Sequence, residues 1–478
     1  MVKPGSALAR AGPARLWGDL FRLLPVRAPR PRRGRRSGGQ IIFTRRETSF
    51  GLLAAGLGSL TLPSRERDAL AARLARDAVP FDPAFDPSDE KTVSDVLERI
   101  IGDRDIVMLG EPSHGDGASI RLRGRLVELL HRRFGFDVLA FEADFWSVTR
   151  GWDDISQPQQ IRPFAKANIY DFWGRAPAAD GLWAYVETVF RDGGRLDVCG
   201  FDCRLKGAGA RSGVVDILRP IATDVGLPSD EFEAFAQGYG ALQTAEFDAP
   251  PAPAAQQAYF AALERFADLL HAHDAPPGDA KGRVVAELAS LGAWARFAWL
   301  GHSRDEAMAA NLGWLIRHRY LGRKIIVWAH NNHILKDSSV YLGVRDQGPA
   351  AQIAAMSEAQ KTSLAYLGGV TARAFPDRVC AIATTLGQGR FSALSHKALD
   401  GSEIDFGVTR PVPAHAPDSI EAALIDRGVG AAVIDLRGLS RDDVFRSRLL
   451  DLSFSAEAPY GPGYDAAIYL RDGVGLGG

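Results

Sequence analysis

The chain has 478 residues, of which 46% are hydrophobic and 24% are charged, so it can bury a sizeable core and is neither a disordered nor a fibrous protein. Residues 1–64 carry twelve Lys and Arg against two acidic residues, whereas the remainder carries 45 basic and 56 acidic residues, a net charge of −11. An acidic body lacks the basic surface that nucleic acids and anionic membranes require. The composition therefore argues against both as partners and favours a small neutral or cationic substrate.

The first 64 residues resemble an export signal. An Arg-rich stretch ends in residues 44–50, TRRETSF, and a short, weakly apolar run over 51–62 follows. Paired arginines ahead of such a run are typical of a twin-arginine signal, and the run is too short for a comfortable membrane span. We predict a leader that engages the Tat translocon, a periplasmic or exported location, and no stable membrane insertion. A basic disordered or amphipathic leader is the alternative.

Beyond the leader, short apolar runs alternate with stretches of helical periodicity. A helix is predicted over 65–78, and apolar residues recur at helical spacing over 94–101. Seven apolar runs predict strands, at 105–109, 137–141, 196–201, 324–329, 379–383, 430–434 and 466–470. Continuous apolar runs separated by helices predict a three-layer α/β sandwich with a mainly parallel central sheet covered on both faces.

Between about residues 207 and 301 the sequence has no strand pattern. Three segments there have helical spacing, and Gly-rich and Pro-rich stretches bracket them, which predicts a lid-like helical insertion mounted on the sheet. The predicted organisation is a leader (1–64), the first part of an α/β domain (65–206), the helical insertion (207–301) and the second part of the α/β domain (302–478).

Polar side chains follow four of the predicted strands. In an open parallel sheet, ligands bind at the carboxyl ends of the strands, so these residues are the first candidates for a site. In chain order they are Glu111, Ser113 and His114, then Glu142 and Asp144, then Asp202 and Arg204, and finally His330, Asn331, Asn332 and His333. Singly, each suits a helix cap, a salt bridge or a strand-end histidine. Together, imidazoles, carboxylates and cations at one edge suit acid–base hydrolysis.

Five blocks of sequence, in order, resemble the erythromycin esterase-like hydrolases, an α/β family that includes macrolide-lactone esterases. The blocks are 106–115 (IVMLGEPSHG), 141–143 (FEA), 200–202 (GFD), 303–309 (SRDEAMA) and 327–333 (VWAHNNH). The resemblance implies a carboxylic ester hydrolase, with antibiotic resistance through macrolide cleavage as one family role. Its substrate would be a small-molecule ester or lactone, cleaved by activated water without a covalent intermediate, a cofactor or a metal.

Site residues carried over from the family fall on matching positions. The resemblance makes His114 the general base that activates water, supported by Glu111, Arg123, Glu142 and His330. Glu111 shares a loop with His114 and is expected to orient its imidazole. Arg123 is expected to stabilise an oxyanion or pair with Glu142, and His330 to protonate the leaving alkoxide. Substrate binding is assigned to His333, Arg304 and Asp202.

One departure from the family lies beside the base. Family members often have a Thr and a Glu directly after the His-Gly pair, whereas this chain has Asp116-Gly117-Ala118. The missing carboxylate bears on substrate specificity more than on water activation. Erythromycin itself is therefore not predicted as the physiological substrate.

Three rival functions fit some of the same residues. A serine hydrolase using Ser113 would need a Gly-x-Ser-x-Gly elbow, which the sequence lacks. A metal-dependent hydrolase would draw on Glu111, His114, Glu142, His330 and His333 as ligands, although no HExxH motif occurs. A non-enzymatic binding or biosynthesis-associated module is also possible, because a fold does not imply a function.

Overall fold

The fold is seen in a computed structural model that describes residues 64–273, 276–343, 364–394 and 405–478. The predicted leader lies outside the described residues, apart from its last position. Residues Arg67–Gly478 form one compact unit. Among the described residues, no helix has both the length and the apolar character needed to span a membrane.

Eleven strands are present in the described residues. They are β1 (Val79–Phe81), β2 (Ile106–Glu111), β3 (Phe136–Asp144), β4 (Asp197–Asp202), β5 (Lys324–His330), β6 (Val379–Ser392), β7 (Thr409–Pro411), β8 (Ala431–Asp435), β9 (Phe445–Asp451), β10 (Phe454–Ala458) and β11 (Ala466–Gly473). The main sheet has the order β1-β8-β11-β6-β2-β5-β3-β4, with β7 paired to β6. β9 and β10 form a separate antiparallel pair.

Most of the main sheet is parallel. β11, β6, β2, β5, β3 and β4 all run in one direction, whereas β8 is antiparallel to β11 and β1 is antiparallel to β8. The predicted three-layer α/β sandwich with a mainly parallel central sheet is confirmed.

Helices cover both faces of the sheet. They are α1 (Ser64–Asp77), α2 (Pro87–Ile101), α3 (Gly117–Phe134), α4 (Phe145–Asp153), α5 (Ile161–Asn168), α6 (Asp171–Gly174), α7 (Asp180–Arg191), α8 (Ala208–Asp224), α9 (Ser229–Ala245), α10 (Pro253–Ala272), α11 (Ala280–Leu300), α12 (Arg304–Trp314), α13 (Leu367–Ala374) and α14 (Ile420–Asp426). A π-helical turn, Leu315–Arg319, extends α12. Short 3₁₀ turns are Pro158–Gln160, Pro177–Ala179 and Ser338–Gly343.

Two hydrophobic cores lie on opposite faces of the sheet, and β2 contributes to both. Val107 and Leu109 pack into one core, while Ile106 and Met108 pack into the other. This follows from the two-residue period of a strand, and it explains why every residue of β2 is buried and why the strand is apolar up to Glu111. A strand covered on both faces is a rigid support for the residues at its end.

The predicted elements agree with the structure in kind more than in length. All seven predicted strands are present, but the one predicted over 379–383 is 14 residues long. β1, β7, β9 and β10 were not predicted. The described residues of 207–301 contain helices α8 to α11 and no strand, and α8 was not predicted. The domain boundaries themselves stay a prediction.

Candidate active site

Four adjacent parallel strands end at one edge of the sheet and carry the polar residues singled out above. Glu111 on β2 and His330 on β5 are direct partners in the register of the two strands. β3, which carries Glu142, lies on the other side of β5, and β4, which ends in Asp202, follows β3. The expected convergence of these side chains at the carboxyl edge is therefore present in the fold.

Glu111 holds the loop residue His114 and the helix residue Arg123 together. Its Oε1 atom is 2.6 Å from His114 Nδ1, and its Oε2 atom forms an ion pair with Arg123 and accepts a 3.3 Å hydrogen bond from Trp173 Nε1. Asp116 caps the helix α3, which carries Arg123 back over Glu111. Arg123 was expected either to stabilise an oxyanion or to pair with Glu142, and the ion pair that forms is with Glu111.

Arg123 is enclosed by protein. Its side chain is 1% exposed, and its guanidinium stacks 3.9 Å from the centre of the Trp328 ring. Its Nη1 atom lies within 3.5 Å of two backbone carbonyl oxygens, those of Leu109 and Ala329. With 1% exposure the side chain has no surface for direct contact with a substrate oxyanion, and its charged partner in the site is Glu111.

The contacts of His114 decide which of its nitrogens is free to accept a proton. An ionised carboxylate has only acceptor oxygens, so the proton shared with Glu111 sits on Nδ1 of the imidazole. The ring stacks on Phe172 at 4.6 Å and meets Trp173 edge-on. Burial among these rings lowers the pKa of His114 to about 4. At neutral pH the imidazole is uncharged and its Nε2 atom is a lone-pair acceptor.

A second carboxylate cluster surrounds Arg304 at the start of α12. Its Nε and Nη2 atoms donate to Asp202 at 3.0 and 2.5 Å, and Nη2 also donates to Glu142 Oε1 at 3.0 Å. Burial alone would lower the pKa of Arg304, but the carboxylates of Asp202 and Glu142 outweigh it and raise that pKa. Tyr170 donates a further hydrogen bond to Asp202 at 3.1 Å.

His333 is a cation held between two carboxylates. Its Nδ1 atom lies 2.7 Å from Asp305 Oδ1 and its Nε2 atom 3.2 Å from Glu142 Oε1. Burial would lower the pKa of His333, but Asp305 and Glu142 raise it to about 10. In turn, burial alone would raise the pKa of Glu142, whereas ion pairing with His333 and Arg304 holds it well below its ordinary value.

His330 lies between the two clusters. Its ring centre is 5.3 Å from that of His114, and its backbone N–H donates to Glu142 Oε2. Its Nδ1 atom accepts a hydrogen bond from the Asn332 backbone at 3.2 Å, so in the neutral ring the proton is on Nε2. Burial lowers the pKa of His330 to about 4. The two imidazoles are therefore both neutral at pH 7, and neither the Nε2 acceptor of His114 nor the Nε2–H donor of His330 has a hydrogen-bond partner among the described residues.

Two of the rival functions can be compared with the geometry. The hydroxyl of Ser113 accepts a hydrogen bond from the Gly115 backbone at 3.2 Å, and the hydrogen-bonded partner of His114 is Glu111. Both ring nitrogens of His333 are engaged by carboxylates. Within the described part of the chain, no three His, Cys, Asp or Glu side chains are grouped so that they could hold a metal ion.

Comparison with known proteins adds the family. The family model described as "Erythromycin esterase" matches residues 131–466. The chain belongs to the erythromycin esterase family. Within the matched range lie the second carboxylate cluster and both strand-end histidines, His330 and His333. Glu111, His114 and Arg123 precede it.

The chain is similar in sequence to one curated protein and in fold to three solved structures. A Bacillus subtilis (strain 168) protein named "Putative hydrolase YbfO" is 24% identical over 272 residues, which are 51% of this chain and 59% of that protein. A solved structure of a mutant of the erythromycin esterase EreC in its open conformation has a TM-score of 0.60 and 18% identity, covering 83% of this chain and 98% of that one. The solved structure of a Bacillus cereus protein has a TM-score of 0.61 and 15% identity, covering 86% of this chain and 98% of that one. The solved structure of a succinoglycan biosynthesis protein has a TM-score of 0.58 and 17% identity, covering 85% of this chain and 97% of that one.

Several residues of the site were not anticipated. Asp305 directly follows Arg304 in the sequence block 303–309, so its position beside a predicted site residue could have indicated it. Phe172 and Trp173 lie in the short helix α6, and two adjacent aromatic residues there were the only feature of the sequence that could have indicated them. Asp451, whose Oδ2 atom is 3.6 Å from His330 Nε2, comes from β9, and nothing in its sequence surroundings distinguishes it.

Proposed function

We propose that the chain is a hydrolase that cleaves a carboxylic ester or lactone by direct attack of water activated by His114. The observation that carries the proposal is the Glu111–His114 contact, in which Nδ1–H donates to the carboxylate and Nε2 is the acceptor of the ring. The centre of that ring is 5.3 Å from the centre of the His330 ring. Family membership supports ester chemistry.

In the proposed reaction, His114 Nε2 takes one proton from water while the water oxygen forms a bond to the ester carbonyl carbon. The carbonyl electron pair moves to oxygen and gives a tetrahedral oxyanion. Arg304 suits this charge, because its Nη1 atom makes no hydrogen bond to any described residue while Asp202 and Glu142 fix its other two nitrogens.

Collapse of the intermediate breaks the bond from carbon to the leaving oxygen. His330 is neutral at pH 7, so its Nε2–H is proposed to donate a hydrogen bond to the leaving oxygen without giving up the proton. The leaving alkoxide instead takes back the proton that His114 removed from water. The products are one acid and one alcohol, and both histidines return to their starting state.

The test is mass spectrometry of a panel of short-chain esters, lactones and macrolides incubated with the purified chain. We expect at least one member to gain the mass of one water with wild type and not with His114→Ala, and EDTA to leave the rate unchanged. A panel on which wild type and His114→Ala are equally inert would contradict the proposal. Loss of activity on chelation, restored by one divalent metal, would favour the metal-dependent alternative.

A further inference from the structure

The β9–β10 hairpin is fastened to the catalytic loop. Its two-residue turn, Leu452 and Ser453, lies against the Glu111–His114 segment, where the Leu452 backbone N–H donates to Pro112 O at 2.9 Å. The Leu452 side chain is 1% exposed and belongs to the same core as Val107 and Leu109 of β2. The turn is therefore held both by a hydrogen bond and by burial.

A second set of bonds fastens the hairpin to the end of β5. Asn331, the residue after His330, donates from its side chain to Leu449 O at 2.7 Å. Arg448 Nη1 donates to Leu452 O at 3.1 Å and braces the turn from within the hairpin. Because both attachments flank a histidine of the site, the hairpin has a fixed position relative to His330.

This position places the carboxylate of Asp451 beside the Nε2 atom of His330. Asp451 Oδ1 accepts two hydrogen bonds from Ser453, from its backbone at 2.7 Å and its hydroxyl at 2.5 Å. These bonds orient the carboxylate, and its Oδ2 atom lies 3.6 Å from His330 Nε2. The Asp451 side chain is 30% exposed and that of His330 is 10% exposed, so this pair reaches the solvent-accessible surface.

We propose that Asp451 is a positioning residue for His330, as Glu111 is for His114. The proposal rests on the proposed function, because it concerns the histidine assigned to the leaving oxygen. The backbone N–H of Asn332 on one side of the ring and the Asp451 carboxylate on the other both select the tautomer with its proton on Nε2. Fixing that tautomer is what a hydrogen-bond donor to the substrate requires.

The separation of 3.6 Å between Asp451 Oδ2 and His330 Nε2 leaves His330 able to act on the substrate. It is longer than a hydrogen bond, so the Nε2 proton is not committed to Asp451 and remains open to a leaving oxygen. Among the described residues, the charged or titratable groups that act most strongly on the His330 imidazole are Asp451, His114, His333 and Glu142. Burial lowers the pKa of His330, and of these groups Asp451 opposes that effect most strongly.

Asp451→Asn tests the charge of residue 451 without removing the hydrogen bonds that shape the turn. The amide oxygen can keep both bonds from Ser453, while the atom facing His330 loses its negative charge. Ser453→Ala is the matched control, since it keeps the charge and removes one of the two bonds that orient it. Thermal unfolding of both variants checks that the hairpin is retained.

The first measurement needs no substrate. We expect the ¹⁵N and ¹³C signals of the His330 imidazole at pH 7, assigned with His330→Asn, to shift in Asp451→Asn, and the pKa of His330 to fall below that of wild type. Unchanged His330 signals in a folded Asp451→Asn protein would overturn the proposal. If the His330 signals shift in Asp451→Asn but the wild-type protein hydrolyses no substrate, the interaction of Asp451 with His330 is supported and only the proposed hydrolase function is contradicted.

The second measurement is steady-state kinetics on a neutral ester. We expect Asp451→Asn to lower kcat by about 10-fold to 100-fold while KM changes by less than about 3-fold, and Ser453→Ala to have a smaller effect of the same kind. An effect confined to KM, or one seen only with cationic esters, would overturn the proposal, because it would make Asp451 a substrate-binding group.

Discussion

His114 and His330 have neighbouring rings with opposite hydrogen-bonding groups at Nε2. His114 Nδ1–H donates a hydrogen bond to Glu111, so its Nε2 atom is an acceptor, whereas His330 Nδ1 accepts a hydrogen bond from the Asn332 backbone, so its Nε2–H is a donor. An acceptor and a donor on two rings whose centres are 5.3 Å apart are the pair that adding water across an ester needs, one to take a proton and one to support the departing oxygen.

The lowered pKa of His114 predicts how the rate depends on pH. A base must be neutral to accept a proton, so kcat/KM on a neutral ester is expected to be independent of pH near neutrality and to fall as the pH drops through about 4. Stopped assays between pH 3.5 and 8 measure this. A fall centred near pH 6.5, the ordinary pKa of histidine, would show that burial does not act on the base as described.

The residues of the site divide into those with a signal in the sequence and those without. Glu111, His114, Glu142, Asp202 and His330 each follow an apolar run, and parallel pairing brings strand ends together whatever lies between them. Asp451 is the last residue of β9, a strand outside the main sheet, and only the tertiary contacts of its hairpin bring it to His330. The ion pair of Arg123 with Glu111 also depended on how α3 crosses the strand ends, which spacing alone does not give.

The catalytic loop depends on close backbone approach to a neighbouring element. Gly115 O accepts a hydrogen bond from Ser392 N of β6 at 2.8 Å, and a Cβ atom at Gly115 would lie 2.1 Å from Ser392 O. The length of β6, which runs well beyond the predicted strand, is what brings Ser392 to the loop. The loop that carries His114 is thus shaped by a strand far away in sequence.

Gly115→Ala is expected to displace this loop. We predict a loss of about 1–3 kcal/mol in the free energy of unfolding, from overpacking against backbone that cannot yield, together with a fall in kcat. Chemical denaturation and kinetics measure both. Gly181→Ala is the control, because nothing lies within 4 Å of its added Cβ and alanine favours a helix, so stability should hold or rise. Equal behaviour of the two variants would contradict the account.

At the scale of the whole molecule, one sheet edge gathers charges from distant parts of the chain. β2, β5, β3 and β4 lie side by side although other elements separate them in sequence. Unfolding therefore separates ion pairs that join positions more than a hundred residues apart, such as Arg304 with Glu142. The stability of the fold and the state of the site are linked through these pairs.

The pKa of His333 makes that link measurable. Because its folded pKa is raised to about 10, the protonated form favours the folded state fully below the unfolded pKa, and this contribution is lost as the pH rises towards 10. We expect the free energy of unfolding of wild type to fall more between pH 7 and pH 10 than that of His333→Gln. Urea denaturation at the two pH values tests this. Parallel losses in both proteins would show that His333 is not the titrating group.

The leader, residues 1–64, is predicted to determine where the protein is located in the cell. We propose that Arg45 and Arg46 direct export through the Tat translocon. Fractionation of cells expressing the full chain should find it outside the cytoplasm, and replacing both arginines with lysine should retain it inside. Export that is unaffected by this replacement would favour a leader of another kind.

The central claim is that His114 activates water and that no serine nucleophile takes part. The most direct test compares kcat/KM of wild type, His114→Ala and Ser113→Ala on the best substrate of the panel. The account predicts a loss of at least about 100-fold for His114→Ala, as for removal of a general base, and a change of less than about 5-fold for Ser113→Ala. Loss of activity in Ser113→Ala with activity kept in His114→Ala would contradict it.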